Sequence, residues 1–233
     1  MTVALPDIPA AEAVIIEMTN GYRSRQRLAP VAQSPALRAA AKAYADLLAR
    51  TGTLSHTAGG TTLTDRVANA GYNYCEVSEN LSASHDTRGF ETRQFARTTV
   101  EGWINSPGHR RNIEAADVTE TGVAVARVAD QHPKYVVVQL FARPQALSFE
   151  IQISNSTRTP VSYAFGSQHQ QLAPGMANQH ATCTPTTIAF DLGRSAAQGQ
   201  PLKYEVKAEA VYVITDDPVG NKEIRVEPLR RIP

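Results

Sequence analysis

The sequence has only two cysteines, no excess of either charge and no long apolar run. Two cysteines among 233 residues do not give the paired spacing of a cysteine-ligated metal centre. Lys and Arg number 23 and Asp and Glu number 22, so the broad basic surface of a nucleic-acid-binding protein is not expected. No stretch approaches the roughly 18 apolar residues of a transmembrane helix. What remains is a globular chain whose 42% of apolar residues can form a packed core.

The N-terminal residues also lack the features of a signal peptide. The stretch MTVALPDIPAAEAV has no basic start and no long apolar middle, and it carries Pro6, Asp7 and Pro9. We therefore expect either a cytosolic protein or a mature form with an added Met. The cysteines, Cys75 and Cys183, are consistent with one long-range disulfide or with two buried thiols.

Four segments of the first half have helical periodicity, and two strands follow them. The runs TGVAVARVA and KYVVVQLFAR alternate in period 2 and are joined by a short turn, which predicts an antiparallel hairpin. Helices followed by such a pair indicate an α+β fold for residues 1–144. The apolar positions predicted to face the core are Val14, Ile15, Met18 and Tyr22, then Leu37, Ala40, Ala41, Tyr44 and Leu48, then Leu63, Val67 and Ala70, and finally Phe95, Thr99 and Trp103.

The composition changes after Pro144. From residue 145 to 233 short alternating runs such as LSFEIQISNST, TTIAFDLG and EIRVEPL are separated by turn signals, and no helical stripe is present. This pattern predicts a second, all-β domain, a small β-sandwich.

The stretch EGWINSPGHRRNIE contains an unusual break. Ser106 is expected to cap a new helix and Pro107 to occupy its first turn, which places His109 at the helix N-terminus. The partial positive charge there disfavours imidazolium, so a neutral His109 could bind a metal ion or accept a proton. The alternative is a histidine that only hydrogen-bonds a nearby loop. Arg110 and Arg111 are candidate partners for the carboxylate of Glu79 or Glu120.

Two further polar segments precede this stretch. LSHTAGG places His56 just beyond a helix end, and CEVSENLSAS places Glu79 and Asn80 in a predicted polar break between helices. Taken alone, His56 could be a helix-end cap and Glu79 a solvated side chain.

Together these segments resemble the CAP superfamily of cysteine-rich secretory proteins, antigen 5 and pathogenesis-related proteins, also called the SCP domain, in its bacterial form. The motifs LSHT, ANAGY, SEN, WINSPGHRRNI and TGVAVA occur in the family's order over residues 10–144. The resemblance implies an α-β-α sandwich with a surface cleft lined by two histidines and two glutamates. His56 and His109 match the histidines and Glu79 one glutamate, whereas Ser106 replaces the other glutamate and Ser78 replaces a glycine.

Several functions are compatible with this resemblance. The first is an extracellular or periplasmic binding protein whose cleft residues His56, Glu79, Asn80, Ser106 and His109 hold a lipid, sterol or glycan. In this cleft His56 and His109 could ligate a divalent cation, with zinc, magnesium or calcium as candidates. The second is a hydrolase with Ser106, His109 and Glu79 as candidate catalytic residues, although a non-enzymatic role is favoured. The third is an interaction protein that recognises a protein or cell-surface partner through its β-sandwich.

Overall fold

A computed structural model describes residues 4–192 and 201–229. These residues form two compact units that divide between Ala146 and Leu147. The helices of the first unit are α1 (Ile8–Arg25), α2 (Pro35–Thr51), α3 (Leu63–Asn69), α4 (Thr92–Asn105) and α5 (Pro107–Glu114), and its strands are β1 (Ala32–Gln33), β2 (Tyr74–His85), β3 (Glu120–Arg127) and β4 (Lys134–Pro144).

The first unit is a three-layer α-β-α sandwich, as predicted. Its sheet has the strand order β1-β3-β4-β2, and the predicted β3–β4 hairpin is antiparallel. Alternate residues of β3 face opposite layers: Val123 and Val125 pack with α1, α4 and α5, whereas Ala124 and Ala126 pack with α2 and α3. Because both faces of this hairpin are covered, nearly every residue in it is buried and apolar.

The helices largely follow their predicted stripes. α2 buries all five of its predicted residues, from Leu37 to Leu48. In α1 only Ile15 of the predicted set is fully buried, and the other three pack against the core while half-buried. The remaining buried positions of α1 include three polar residues that were not predicted: Glu12, Thr19 and Arg23.

Arg23 shows why the buried face of α1 is hard to predict. Its side chain is fully buried and donates to the carbonyl oxygens of Ala29, Ile113 and Ala115. A hydrophobic pattern cannot predict a helix face whose buried polar groups are satisfied by distant backbone atoms.

The prediction that Glu79 and Asn80 lie in a break between helices is wrong. Both residues are in the middle of β2, a 12-residue edge strand that pairs with β4 along its whole length. The strand does have period 2, but Glu79 occupies an inward position between Val77 and Leu81. This buried carboxylate interrupts the apolar alternation by which a strand is recognised.

The second unit is a β-sandwich, again as predicted. Its strands are β5 (Phe149–Asn155), β6 (Val161–Phe165), β7 (Gln168–Leu172), β8 (Ala177–Thr182), β9 (Thr187–Asp191), β10 (Leu202–Glu205), β11 (Ala210–Asp216) and β12 (Lys222–Pro228). Two four-stranded sheets, with orders β10-β9-β6-β7 and β12-β11-β5-β8, enclose one core that includes Ile153, Tyr163 and Phe190. Strands β7 and β8 were not predicted, because QHQQL and ANQHAT contain few apolar residues.

Two further features concern the cysteines and the helices. Neither Cys75 nor Cys183 is a free thiol, and both are disulfide-bonded. Within residues 4–192 and 201–229, none of the helices combines the length and the apolar character that crossing a bilayer requires.

Candidate functional site

His56 and Glu79 are joined by a direct hydrogen bond. Nδ1 of His56 lies 2.8 Å from Oε1 of Glu79. The carboxylate is 3% exposed, whereas the imidazole is 60% exposed. Because an ionised carboxylate only accepts hydrogen bonds, Nδ1 of His56 is the donor, and Nε2 of a neutral ring is left as an acceptor on the exposed side.

The second oxygen of Glu79 is bound by an arginine. Nη2 of Arg66, in α3, donates to Oε2 of Glu79 over 2.7 Å, and the Arg66 side chain is 9% exposed. The guanidinium also covers the aromatic ring of Tyr44, with its central carbon 3.4 Å from the ring centroid. Such a desolvated cation–π contact stabilises by about 2 kcal/mol. Arg66 therefore provides the counter-charge that a buried carboxylate requires.

Tyr44 and Arg66 also fix the loop that carries His56. Nη1 of Arg66 donates to the carbonyl oxygens of His56 and Thr61, at 3.1 Å each. The hydroxyl of Tyr44 donates to the carbonyl oxygen of Ser55 and accepts from the amide of Ala58. The loop thus has several backbone anchors on α2 and α3, which restrict where the His56 ring can lie.

His109 is in the first turn of α5, as predicted, and its backbone is attached to β2. Nδ2 of Asn80 donates to the carbonyl oxygen of His109 over 3.1 Å. Nδ2 of Asn112 donates to Oδ1 of Asn80 and to the carbonyl oxygen of Glu79. Asn80 is fully buried. Its amide therefore supports the position of α5 from within the protein.

The pKa of His109 is lowered from its usual value of 6.5. The main cause is burial, and an electrostatic contribution from His56 acts in the same direction. A lowered pKa agrees with the neutral His109 expected from the sequence. The expected cause was the helix N-terminus, whereas the main cause is burial. Glu79 contacts His56 directly, and its neighbour Asn80 holds the backbone of His109. We refer to His56, Glu79 and His109 as the histidine site.

Ser106 is the N-cap residue of α5, but its side chain makes no capping hydrogen bond. The predicted capping role of its hydroxyl is therefore wrong. Pro107 in the first turn has no amide that needs a partner, and the amide of Ser106 bonds the carbonyl oxygen of Trp103 at the end of α4. Within the described residues the hydroxyl also makes no hydrogen bond to His109, so a Ser–His nucleophile pair is not assembled there.

The donor set of the histidine site fits a transition-metal ion only in part. Imidazole nitrogens are good ligands for zinc. Glu79 cannot readily serve as a third ligand, because His56 and Arg66 occupy its two oxygens. Accordingly, no group of three or more His, Cys, Asp or Glu side chains is arranged to hold a metal ion in the part of the chain that the structure describes. Magnesium and calcium, which prefer oxygen ligands, fit less well.

The parts played by Arg66, Tyr44 and Asn112 were not predicted from the sequence. Arg110 and Arg111 were the candidate partners of Glu79, and the structure assigns that position to Arg66. Arg66 is 13 residues from Glu79 in the sequence, and the contact depends on how α3 packs beside β2. A short amphipathic helix places Arg66 near its C-terminus but does not reveal its partner.

A pocket of about 440 Å³ lies beside Arg66. Its wall is largely apolar and includes Ala39, Ala43 and Leu47 of α2, and it reaches Tyr44 and Arg66. Arg66 therefore borders the pocket and also contacts Glu79 of the histidine site.

Comparison with known proteins identifies the family of the first unit. The profile of the CAP family, described as the cysteine-rich secretory protein family, matches residues 16–141, which is more than half of the chain. The chain therefore belongs to the CAP family, and the resemblance inferred from its motifs is confirmed.

A curated relative and two solved structures illustrate the similarity. Protein YkwD of Bacillus subtilis, named as uncharacterized, is 27% identical over 124 residues, which are 52% of this chain and 45% of YkwD. An outer surface protein of Borrelia burgdorferi has a TM-score of 0.50 at 21% identity, covering 58% of this chain and 93% of that one. The crystal structure of NaASP2 with Zn²⁺ has a TM-score of 0.44 at 14% identity, covering 59% of this chain and 83% of that one. The chain spans less than half the length of YkwD.

Proposed function

We propose that this chain is an exported CAP protein that binds a small ligand at the histidine site and has no catalytic role there. The observation that carries the proposal is the bond between His56 and buried Glu79, whose charge is balanced by Arg66. A carboxylate that fixes Nδ1 of a histidine orients Nε2 for a ligand, which is the arrangement around metal-binding histidines. Two disulfide-bonded cysteines support an oxidising compartment such as the periplasm or the cell exterior.

A zinc ion is the first ligand to test. His56 and His109 would hold it, and a bound zinc ion would supply a positive centre for an anionic or carbonyl group. Calorimetric titration with Zn²⁺ should show that His56→Ala and His109→Ala each lose one bound equivalent. His169→Ala, an exposed histidine on β7, is the matched control and should bind as the unchanged protein does. Unchanged zinc binding in both site variants would refute this role.

The pocket beside Arg66 supports an amphipathic ligand, such as a lipid or sterol, rather than a purely polar glycan. Its apolar wall is lined by alanines, and its Arg66 edge is shared with the histidine site. Ala43→Phe should fill this space and weaken binding of a fatty acid or sterol measured by calorimetry. The exposed residue Ala83 on β2 offers a control, Ala83→Phe, outside the pocket lining. Equal binding by both variants would exclude the pocket.

A second proposal concerns residues 145–233. This β-sandwich lies outside the CAP match and has a core of its own, so it can carry a separate recognition function. We propose that it binds a protein or cell-surface partner. Full-length protein and a form ending at residue 144 should be compared for binding to whole cells. Equal binding by the two forms would assign adhesion to the CAP unit and overturn the proposal.

A further inference from the structure

Two histidines outside the histidine site lie side by side near the end of β2. His85 is the last residue of β2, and His132 lies in the loop between β3 and β4. β2 and β4 are antiparallel with His85 opposite Lys134, and this register brings the loop residue next to the strand end. The two ring centroids are 5.8 Å apart, and the ring planes form an angle of 68°.

The ring nitrogens of both histidines are available. His85 is exposed and His132 is half-buried. Within residues 4–192 and 201–229, no hydrogen bond from a protein group reaches the imidazole nitrogens of either residue; only the backbone amide of His132 is bonded, to Asp130. The rings therefore meet in an edge-to-face contact, and no hydrogen bond from a described residue to a ring nitrogen fixes their orientation.

Their separation is close to that of two imidazoles that share one metal ion. A zinc–nitrogen bond of about 2.1 Å places an imidazole centroid about 3.2 Å from the ion, so a tetrahedral angle puts two centroids about 5.2 Å apart. The observed 5.8 Å differs from this by a shift that side-chain rotation can provide, since neither ring is enclosed.

The charges around the pair are mixed, with two carboxylates near His85. The pKa of Asp86 is lowered to about 2, first by hydrogen bonds from Arg88, with the charge of His85 contributing. The pKa of Asp130 is also lowered, first by the amide of His132, then by Lys134 and His85 among other causes. Both carboxylates are therefore ionised at neutral pH. Arg88 is already paired with Asp86, and Lys134 is the other cation that faces the cluster.

We propose that His85 and His132 form a second binding site for a divalent transition-metal ion. The two imidazoles are its protein ligands and water completes the coordination. Imidazole ligands favour zinc, nickel or copper over magnesium or calcium. This site is separate from the histidine site and does not depend on the function proposed for it.

The test uses the full chain carrying His56→Ala and His109→Ala, which removes the histidine site. Calorimetric titration of this protein with Zn²⁺, and separately with Ni²⁺, should show one bound ion. Adding either His85→Ala or His132→Ala should abolish that binding, whereas adding His169→Ala should preserve it. Circular dichroism checks that each variant retains its fold, as expected for substitutions at residues that are exposed or half-buried.

The proposal is overturned if the background protein binds neither ion, or if binding survives in the His85→Ala and His132→Ala proteins. A separate result addresses the proposed function. His85→Ala in the otherwise unchanged chain should keep the ion bound by His56 and His109, so either site can fail without the other.

Discussion

Arg66 and Glu79 form a buried ion pair of 2.7 Å, and the guanidinium of Arg66 covers Tyr44 with its central carbon 3.4 Å from the ring centroid. Through this pair the charge of Glu79 is balanced inside the protein and does not depend on a ligand. The site can therefore keep its ionised carboxylate and its oriented His56 in the ligand-free state.

Removal of Arg66 should destabilise the CAP unit strongly. Arg66→Ala leaves the Glu79 carboxylate buried without a counter-charge, which costs about 3–5 kcal/mol of unfolding free energy. Denaturant unfolding followed by the fluorescence of the single tryptophan, Trp103, reports on this unit. Arg111→Ala, at an exposed position of α5, should change the unfolding free energy by no more than about 0.5 kcal/mol.

A second variant separates charge from packing. Adding Glu79→Gln to Arg66→Ala should restore part of the lost stability, because a neutral amide needs no buried counter-charge. If the double variant were no more stable than Arg66→Ala, the loss would come from the Tyr44 contact and the hydrogen bonds to the His56 loop instead of the ion pair.

The unfolding free energy of the β-sandwich should depend on the protonation of His180. Burial lowers the pKa of His180 below 6.5, and the ring stacks on Phe165 with centroids 4.4 Å apart. The unfolded chain therefore binds the proton more readily than the folded chain. The stability contributed by neutral His180 is complete above pH 6.5 and is lost as the pH falls through the lower folded pKa.

An NMR titration of His180 checks this prediction. Its pKa should lie below 6.5, and Phe165→Ala should move it back upward because the ring becomes more exposed to water. Met176→Ala, at an exposed position of the same unit, is the control and should leave the titration unchanged. A titration midpoint at or above 6.5 in the unchanged protein would contradict the assignment.

The regular parts of the fold could be predicted from the sequence, and the polar interior could not. The stripe of α2 and the alternation of β3 and β4 consist of apolar residues with one period each, so their pattern is sufficient. β2 was missed because Glu79 and Asn80 occupy buried positions, and their partners Arg66 and His109 come from other elements. The family motifs identified His56, Glu79 and His109, but they carried no information on how Glu79 is neutralised.

Helix caps provide a sharper test of what local sequence determines. Thr62 and Asp65 form a complete capping box at the start of α3, whereas Ser106 begins α5 without a side-chain cap. Thr62→Ala should therefore cost about 1 kcal/mol of unfolding free energy. Ser106→Ala should cost less than about 0.5 kcal/mol. Equal losses in denaturant unfolding would mean that Ser106 caps α5 in solution.

Gly122 allows β3 to approach the start of α2 at backbone distance. A Cβ atom at this position would lie 2.3 Å from the amide nitrogen of Arg38 and 2.3 Å from the carbonyl carbon of Leu37. Neither backbone atom can move without displacing α2 from the sheet, so Gly122→Ala should destabilise the CAP unit by about 3 kcal/mol or more, at the upper end of overpacking effects.

Gly102→Ala is the matched control, because a Cβ atom there meets nothing within 4 Å. In the interior of α4 this change should stabilise by about 0.5–1 kcal/mol. Fluorescence-detected unfolding of the two variants should thus give shifts of opposite sign. If Gly122→Ala were not destabilised, α2 would be able to move away from β3 without loss.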